Sequence, residues 1–396
     1  MTESFPSSAR DQTLLRRVNE LSVLAAVRGR APRPLREISD TTGLSWRTTQ
    51  VVAEILHTHG WLVETEADDG SGGRRAVGRP ARRYRFRAEA GHVVGLDVGA
   101  HQVQVFVADL DATIVGSHRT EVSPADDAER RLASVERTLR AALTGAGLEP
   151  QDVWAAAMGA SGVVGPDGTV TASALLPGWA GLNPGKALGA LLRCGVEVAN
   201  DANLAALAER WRGHRAQTMI YVLAGVRLGT GLVIGGQLHR GAAGAAGEIG
   251  ALREIGWHDA AERLAAAAVG VGPVADRADA ARQVFQAARD ADPDALAAVD
   301  RFVADVARGV TAMVLTIDPD LVVLGGGFAY AADLLVPRLT AELAATCLHT
   351  PQVQASELGD DAVALGALRL ALDTVDQRMT SLDSNTALTP AVIRGW

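Results

Sequence analysis

Residues 93–116 read Val93-Val-Gly-Leu-Asp97-Val-Gly99-Ala100-His101-Gln-Val-Gln-Val-Phe-Val-Ala-Asp109-Leu-Asp111-Ala-Thr-Ile-Val-Gly116. Apolar residues alternate on both sides of Asp97-x-Gly99, so the spacing predicts two strands joined by a glycine turn, the second ending in a turn at Asp109 to Ala112. A glycine at the first turn lets backbone amides approach a phosphate. A similar pattern returns 125 residues on, with Thr218 to Ala224, a glycine-bearing link from Gly225 to Gly231, Leu232-Val-Ile, and a turn at Gly235-Gly236. Two glycine-linked hairpins in one chain predict a duplicated α/β body from residue 91 onward, with a cleft between the halves.

The bounds set by composition agree. At 396 residues and 41.2 kDa, with 48% hydrophobic and 21% charged residues and 42 glycines, the chain reads as two or three globular domains rich in tight turns. No apolar run is long enough to span a membrane and the N-terminus has no basic and apolar leader, so a cytoplasmic protein with no membrane partner is expected. Cys194 and Cys347 are the only cysteines, which excludes a disulfide framework and a cysteine-based zinc site.

Charge divides the chain. The whole carries −8, yet residues 1–90 hold fifteen arginines against eleven acidic residues, and seven of those arginines lie between Arg74 and Arg87. Such an asymmetry predicts a basic module that meets an anion, joined to an acidic body that does not. From Gln12 to Arg28 apolar residues recur at helical spacing. Leu35 and Ile38 begin a shorter helix ending at Gly43, and Ser45 caps a third that runs to about His59 with Val52, Ile55 and Leu56 as its buried face. This is helix-turn-helix spacing, and it places Ser45, Trp46, Arg47, Thr48 and Gln50 where base edges and phosphates would be met. Trp61 to Glu66, a tip at Asp68 to Gly73, and Tyr84 to Arg87 read as a hairpin wing. Arg74 and Arg75 sit on it, and Gly78-Arg79-Pro80 could carry Arg79 into a minor groove. Residues after Asp376 read as a polar tail.

Six ordered segments carry a resemblance to a known family. They are Leu-Asp97-Val-Gly99, Leu176-Pro-Gly-Trp179, Asn200-Asp201-Ala-Asn203-Leu-Ala-Ala-Leu-Ala-Glu209, Leu238-His-Arg-Gly241-Ala-Ala-Gly-Ala-Ala-Gly-Glu248-Ile-Gly250, Val323-Leu-Gly325-Gly-Gly327, and Leu358-Gly-Asp-Asp-Ala-Val-Ala-Leu-Gly366-Ala. Over nearly its whole length the chain resembles the ROK family of repressors, uncharacterised reading frames and sugar kinases. The resemblance implies an α/β fold with an N-terminal winged helix-turn-helix over 1–90, followed by a duplicated actin/hexokinase-like (ASKHA) body whose lobes span 91–200 and 201–396.

The resemblance also implies site residues. In the family's kinases the Asp matching Asp201 takes the proton from the attacking sugar hydroxyl, although Asn200-Asp201 would equally make a good helix cap. The kinases follow the first Asp-x-Gly with Gly-Thr, where this chain has Ala100-His101, and their second phosphate loop, Gly-Thr-Gly-Ile-Gly, is here Gly225-Val226-Arg227-Leu228-Gly229. Arg227 puts a long side chain where bare backbone is expected; an arginine could also clamp a phosphate. The family's zinc-binding His and cysteines are replaced, Ala251 following Gly250 and no cysteine lying between Leu252 and Glu262, so no structural zinc is expected. Leu175 stands where an Asn is usual. Asn200, Asp201, Glu248 and Glu262 remain as ligand-binding candidates, and Trp179 is either a cavity wall or a core residue.

Together these features predict a transcriptional regulator, a repressor, rather than an enzyme. Its partners would be a double-stranded DNA operator and a sugar or sugar derivative, and it would act as a homodimer or higher homo-oligomer. The rival is an active ATP-dependent sugar kinase with an appended DNA-binding domain, for which ATP and Mg²⁺ would be needed and Asp201 would be catalytic. A third reading, encouraged by Leu175 and Ala251, is a regulator that answers only to a protein partner.

Overall fold

The computed structural model describes residues 7–65, 82–268 and 277–395. The chain opens with α1 (Ser7–Val27), β1 (Arg33–Pro34), α2 (Leu35–Thr42) and α3 (Trp46–Thr58), followed by β2 (Leu62–Thr65) and β3 (Arg83–Phe86). The three strands form an antiparallel sheet in the order β1-β3-β2. Gly43 ends α2 in the left-handed region at φ 69°, its amide donating to the Ser39 carbonyl, and this turns the chain sharply into α3. Val52 and Leu56 are buried as their spacing predicts, whereas Ile55 is only half-buried. The predicted tip at Asp68 to Gly73, with Arg74, Arg75 and Arg79, lies outside the described residues.

The body holds two sheets of one design. β4 (His92–Val98), β5 (Gln102–Asp109) and β6 (Ile114–Glu121) make an antiparallel meander. α4 (Ala128–Gly145), β7 (Val153–Ala160), the small hairpin β8 (Val163–Val164) and β9 (Val170–Ala172), α5 (Pro184–Leu192) and β10 (Val196–Asn200) follow. β7 pairs parallel to β4 and β10 parallel to β7, giving the order β10-β7-β4-β5-β6. The second half repeats this after α6 (Asp201–Arg212). β11 (Met219–Ala224), β12 (Leu228–Ile234) and β13 (Gln237–His239) form the meander, α7 (Ala260–Ala266), α8 (Arg277–Arg289) and α9 (Pro293–Ile317) intervene, and β14 (Leu321–Gly325), α10 (Ala332–Thr346) and β15 (Gln352–Ala355) complete the order β13-β12-β11-β14-β15. The predicted duplication is therefore visible strand for strand. One boundary differs from expectation: β12 starts at Leu228, not Leu232, because Leu228 already pairs with Ala224, and the glycine-bearing link shrinks to residues 225–227.

The final helices, α11 (Ala362–Ser381) and α12 (Pro390–Arg394), tie the parts together. Although it lies in the second half of the sequence, α11 packs on the first lobe's sheet and against α6. At the crossing, Gly366 meets the Leu204 backbone, where a Cβ would overlap the carbonyl oxygen. Beyond α11, the predicted polar tail buries Leu382, Leu388 and Ile393 in the core shared by the N-terminal helices and the body. The indole N–H of buried Trp61 donates to the Leu388 carbonyl at 3.0 Å, and Arg17 donates to that of Thr386 at 2.5 Å. Arg28, at the end of α1, donates to Asp376 at 2.5 Å and to the Leu110 carbonyl at 2.8 Å. A core continuous from α1 to α11 holds the N-terminal module to the body as one packed unit. Among the described residues no helix is long and apolar enough to cross a membrane.

Candidate functional site

Two regions carry the residues singled out by the sequence. The first is the exposed N-terminal half of α3. Ser45 is its N-cap: the hydroxyl accepts the Thr48 amide at 3.1 Å and lies 2.8 Å from the Thr48 hydroxyl, so both hydroxyls serve the helix end. Trp46, 53% exposed, Arg47 and Gln50 face solvent, with Gln50 donating to Glu54 at 3.1 Å. Beside them an apolar groove of about 430 Å³ between α1 and α3 is lined by Leu15, Arg47, Val51 and Ile55. The arginine cluster divides. Arg82 pairs with Glu64 at 3.3 Å, Arg83 donates to the Pro32 carbonyl at 3.2 Å, and Arg85 grips Glu89 with two bonds of 2.7 and 2.9 Å. These three arginines thus brace the small sheet.

The second region lies between the lobes, at the start of α6. Asn200 caps the helix, its Oδ1 accepting the Asn203 amide at 3.0 Å while its Nδ2 donates to the Gly162 carbonyl at 2.9 Å. Asp201 follows, accepting from the Ala202 amide at 2.8 Å and from the Ser161 hydroxyl. Burial raises its pKa to about 6, against the opposing pull of those bonds and with the charge of Glu248 adding to the rise. Asp97, at the end of β4 and only 9% exposed, is pushed up to about 8, first by burial and then by the Asp201 charge. Burial also raises Glu248. Asp201 thus links the three carboxyl groups from β4, α6 and the loop after β13, its charge raising Asp97 and itself being raised by Glu248.

Glu262 does not join them. It is 59% exposed on α7 and pairs with Arg277 at 3.2 Å, because the short α7 turns that position outward. Trp179 is fully buried in the first lobe's core, which settles its role as packing rather than cavity wall. Arg227, in the tight turn between β11 and β12, donates to the His258 carbonyl at 3.3 Å. Its side chain thereby bridges the altered phosphate loop to the segment before α7. The Gly325 to Gly327 turn packs against the end of β11, with the Phe328 amide donating to the Ala224 carbonyl at 2.9 Å. No group of three or more His, Cys, Asp and Glu side chains among the described residues is disposed to hold a metal ion. No motif marked Ser161, which reaches Asp201 from the strand-end after β7. The alternation before Asp97 placed that carboxyl at a strand end but could not reveal its burial.

A family model described as the ROK family matches residues 93–374. The chain belongs to the ROK family. Among proteins similar to it, a xylose repressor of Caldicellulosiruptor bescii is 23% identical over 91% of this chain and 97% of its own length. A structure described as a ROK family transcriptional regulator, homologous to the Escherichia coli MLC protein, shares the fold with a TM-score of 0.68 at 17% identity, over 91% of this chain and 97% of that one. A ROK glucokinase from Streptomyces griseus, solved with glucose and AMPPNP, superposes with a TM-score of 0.60 at 24% identity. It spans 72% of this chain and all of its own. The kinase covers less of the ROK chain than the regulator does.

Proposed function

We infer that this ROK protein is a sugar-responsive, DNA-binding transcriptional repressor. The observation that carries the reading is the union, in one packed unit, of a three-helix module presenting Trp46, Arg47 and Gln50 with a kinase-like body whose phosphate turn holds Arg227. A repressor similar along nearly the whole chain supports it. In this reading the module is a winged helix-turn-helix. The N-terminal end of α3 enters the major groove, and Arg74, Arg75 and Arg79, which lie outside the described residues, add positive charge for the DNA backbone. One such helix makes few base contacts, so a symmetric dimer spanning two half-sites is expected. Asn200, Asp201 and Glu248 hold hydroxyls of the sugar in the cleft. No nucleotide, Mg²⁺ or zinc is needed.

The reading is tested by titrating the purified protein onto the DNA upstream of its own gene across a salt series, with and without xylose, glucose and N-acetylhexosamines. Binding should weaken steeply with salt and be relieved by one of the sugars. Arg47→Ala should lower affinity at least tenfold, with a shallower salt slope if the guanidinium meets phosphate or relaxed sequence preference if it meets a base. Sugar-independent binding would remove the sensing role, and an unchanged Arg47→Ala would remove α3 as the DNA-facing helix.

One observation favours the kinase reading. A carboxyl raised to about 6 is well poised to accept a hydroxyl proton near neutral pH. ADP release over a panel of hexoses therefore decides between the two. The repressor reading expects none above background, and turnover abolished by Asp201→Asn would establish the kinase.

A further inference from the structure

Next to the carboxyl cluster, on the far side of Asn200, a cavity of about 300 Å³ opens between the lobes. Its first wall is the β8–β9 hairpin, with Val164, Pro166 and Asp167, together with β10, with Glu197 and Val198. Its second wall is the loop after β13, with Arg240 and Gly244. The walls touch where Gly244, at φ 76°, lies so close to the Val164 carbonyl that a Cβ would overlap it. The cavity is thus closed on that side by backbone.

Not all of its polar groups are consumed by the fold. Asn203, one turn into α6, is 4% exposed and lines the cavity, yet its Oδ1 has no hydrogen-bond partner among the described residues. A buried amide oxygen left unpaired opposes folding, and a ligand hydroxyl would satisfy it. Arg240 stands 4.0 Å from Glu197 across the lobe boundary, a separation at which both retain capacity for further hydrogen bonds. Glu197 is steadied from α11 by the Thr374 hydroxyl at 2.6 Å. Asp167 is occupied in its own turn, accepting the amide and hydroxyl of Thr169 at 3.0 and 2.8 Å. The remaining set is an amide, a guanidinium and a carboxylate beside the apolar surfaces of Val164, Pro166 and Val198. That combination suits a neutral ring with hydroxyls on its rim and a C–H face. It does not suit a phosphate or a sugar acid, which would meet the Glu197 and Asp167 carboxylates.

We propose that this cavity is a second saccharide subsite, adjoining the first through Asn200, so that the sensed ligand is a disaccharide or longer neutral oligosaccharide. The proposal rests on the sugar-sensing reading above. It also gives Asn203 a purpose that capping does not, since the cap uses only its backbone amide.

Calorimetric titration of the full chain with xylose, glucose, xylobiose, maltose and cellobiose tests it, alongside thermal unfolding of each variant without sugar. One of the disaccharides should bind at least tenfold more tightly than its monosaccharide. Asn203→Ala and Arg240→Ala should each erase that advantage while leaving monosaccharide affinity unchanged. Asn203→Ala should also unfold at the same or a higher temperature than the parent, because it removes an unpaired buried oxygen; a structural asparagine would behave in the opposite way. Equal affinity for disaccharides and monosaccharides, or an advantage that survives both substitutions, overturns the subsite and leaves sugar sensing intact. Absence of binding by all five sugars overturns the subsite, and the sensing reading then stands or falls on the N-acetylhexosamine titration.

Discussion

Asp97→Asn should stabilise the protein at pH 8 and flatten its stability between pH 4 and pH 8. Asp97 sits at the end of β4 with 9% of its surface exposed, and burial, reinforced by the Asp201 charge, raises its pKa from 3.8 to about 8. The folded state therefore holds this proton more tightly than the unfolded chain does. A carboxyl of that kind contributes its full stability below pH 4, where both states are protonated, and loses it as pH rises through the interval to about 8. The difference sets a ceiling of ~6 kcal/mol on the effect; relaxation of the cleft will return less. Asn keeps the shape and cannot ionise. Asp201, raised to about 6, contributes the same sign over a narrower interval ending near pH 6. Asp201→Asn should also shift the Asp97 titration downward by removing a like charge. Thermal unfolding of the parent and both variants from pH 4 to pH 8.5 reads this directly. A parent whose stability increases with pH over that interval would contradict the assignment.

Gly366→Val should abolish folding or lower the unfolding midpoint by more than 10 °C, the response expected of a loss above ~4 kcal/mol. A Cβ at this position would overlap the Leu204 carbonyl oxygen and carbon, which belong to the backbone of α6 and cannot rotate away. The crossing of α11 over α6 is the joint between the lobes, so separating the two helices disturbs both sheets together. Gly145 is the control: it ends α4 with nothing within 4 Å of its added Cβ. Gly145→Ala should be neutral or stabilising by up to ~1 kcal/mol. Similar losses from the two substitutions would show that helix propensity, not close approach, governs both sites.

Parts of the site were legible in the sequence for local reasons. Asn200-Asp201 is a capping pair placed directly after a strand, and the structure uses it as one, because capping depends on groups three residues apart. Ser45 announced the start of α3 in the same way. Glu262 misled because it was placed by motif alone, in a segment lacking the family's cysteines; the exposure of α7 decided its direction. Ser161, Asn203 and Arg240 drew no attention because their significance is relational. Each matters through a group more than thirty residues away or through a cavity wall from the other lobe.

What the sequence determined by itself was periodic or short-range: the alternating strands, their glycine turns, the repeated meander, the cap and turn residues of the N-terminal helices, and the concentration of positive charge. Such features are written in neighbouring residues and survive without knowledge of the whole. The tertiary structure alone decided that α11 returns to the first lobe, that Leu388 receives Trp61, that Arg82, Arg83 and Arg85 brace a sheet, and that buried Asp97 and half-buried Asp201 and Glu248 come together. These depend on contacts between distant segments, where burial sets protonation and pairing in a way no local pattern records.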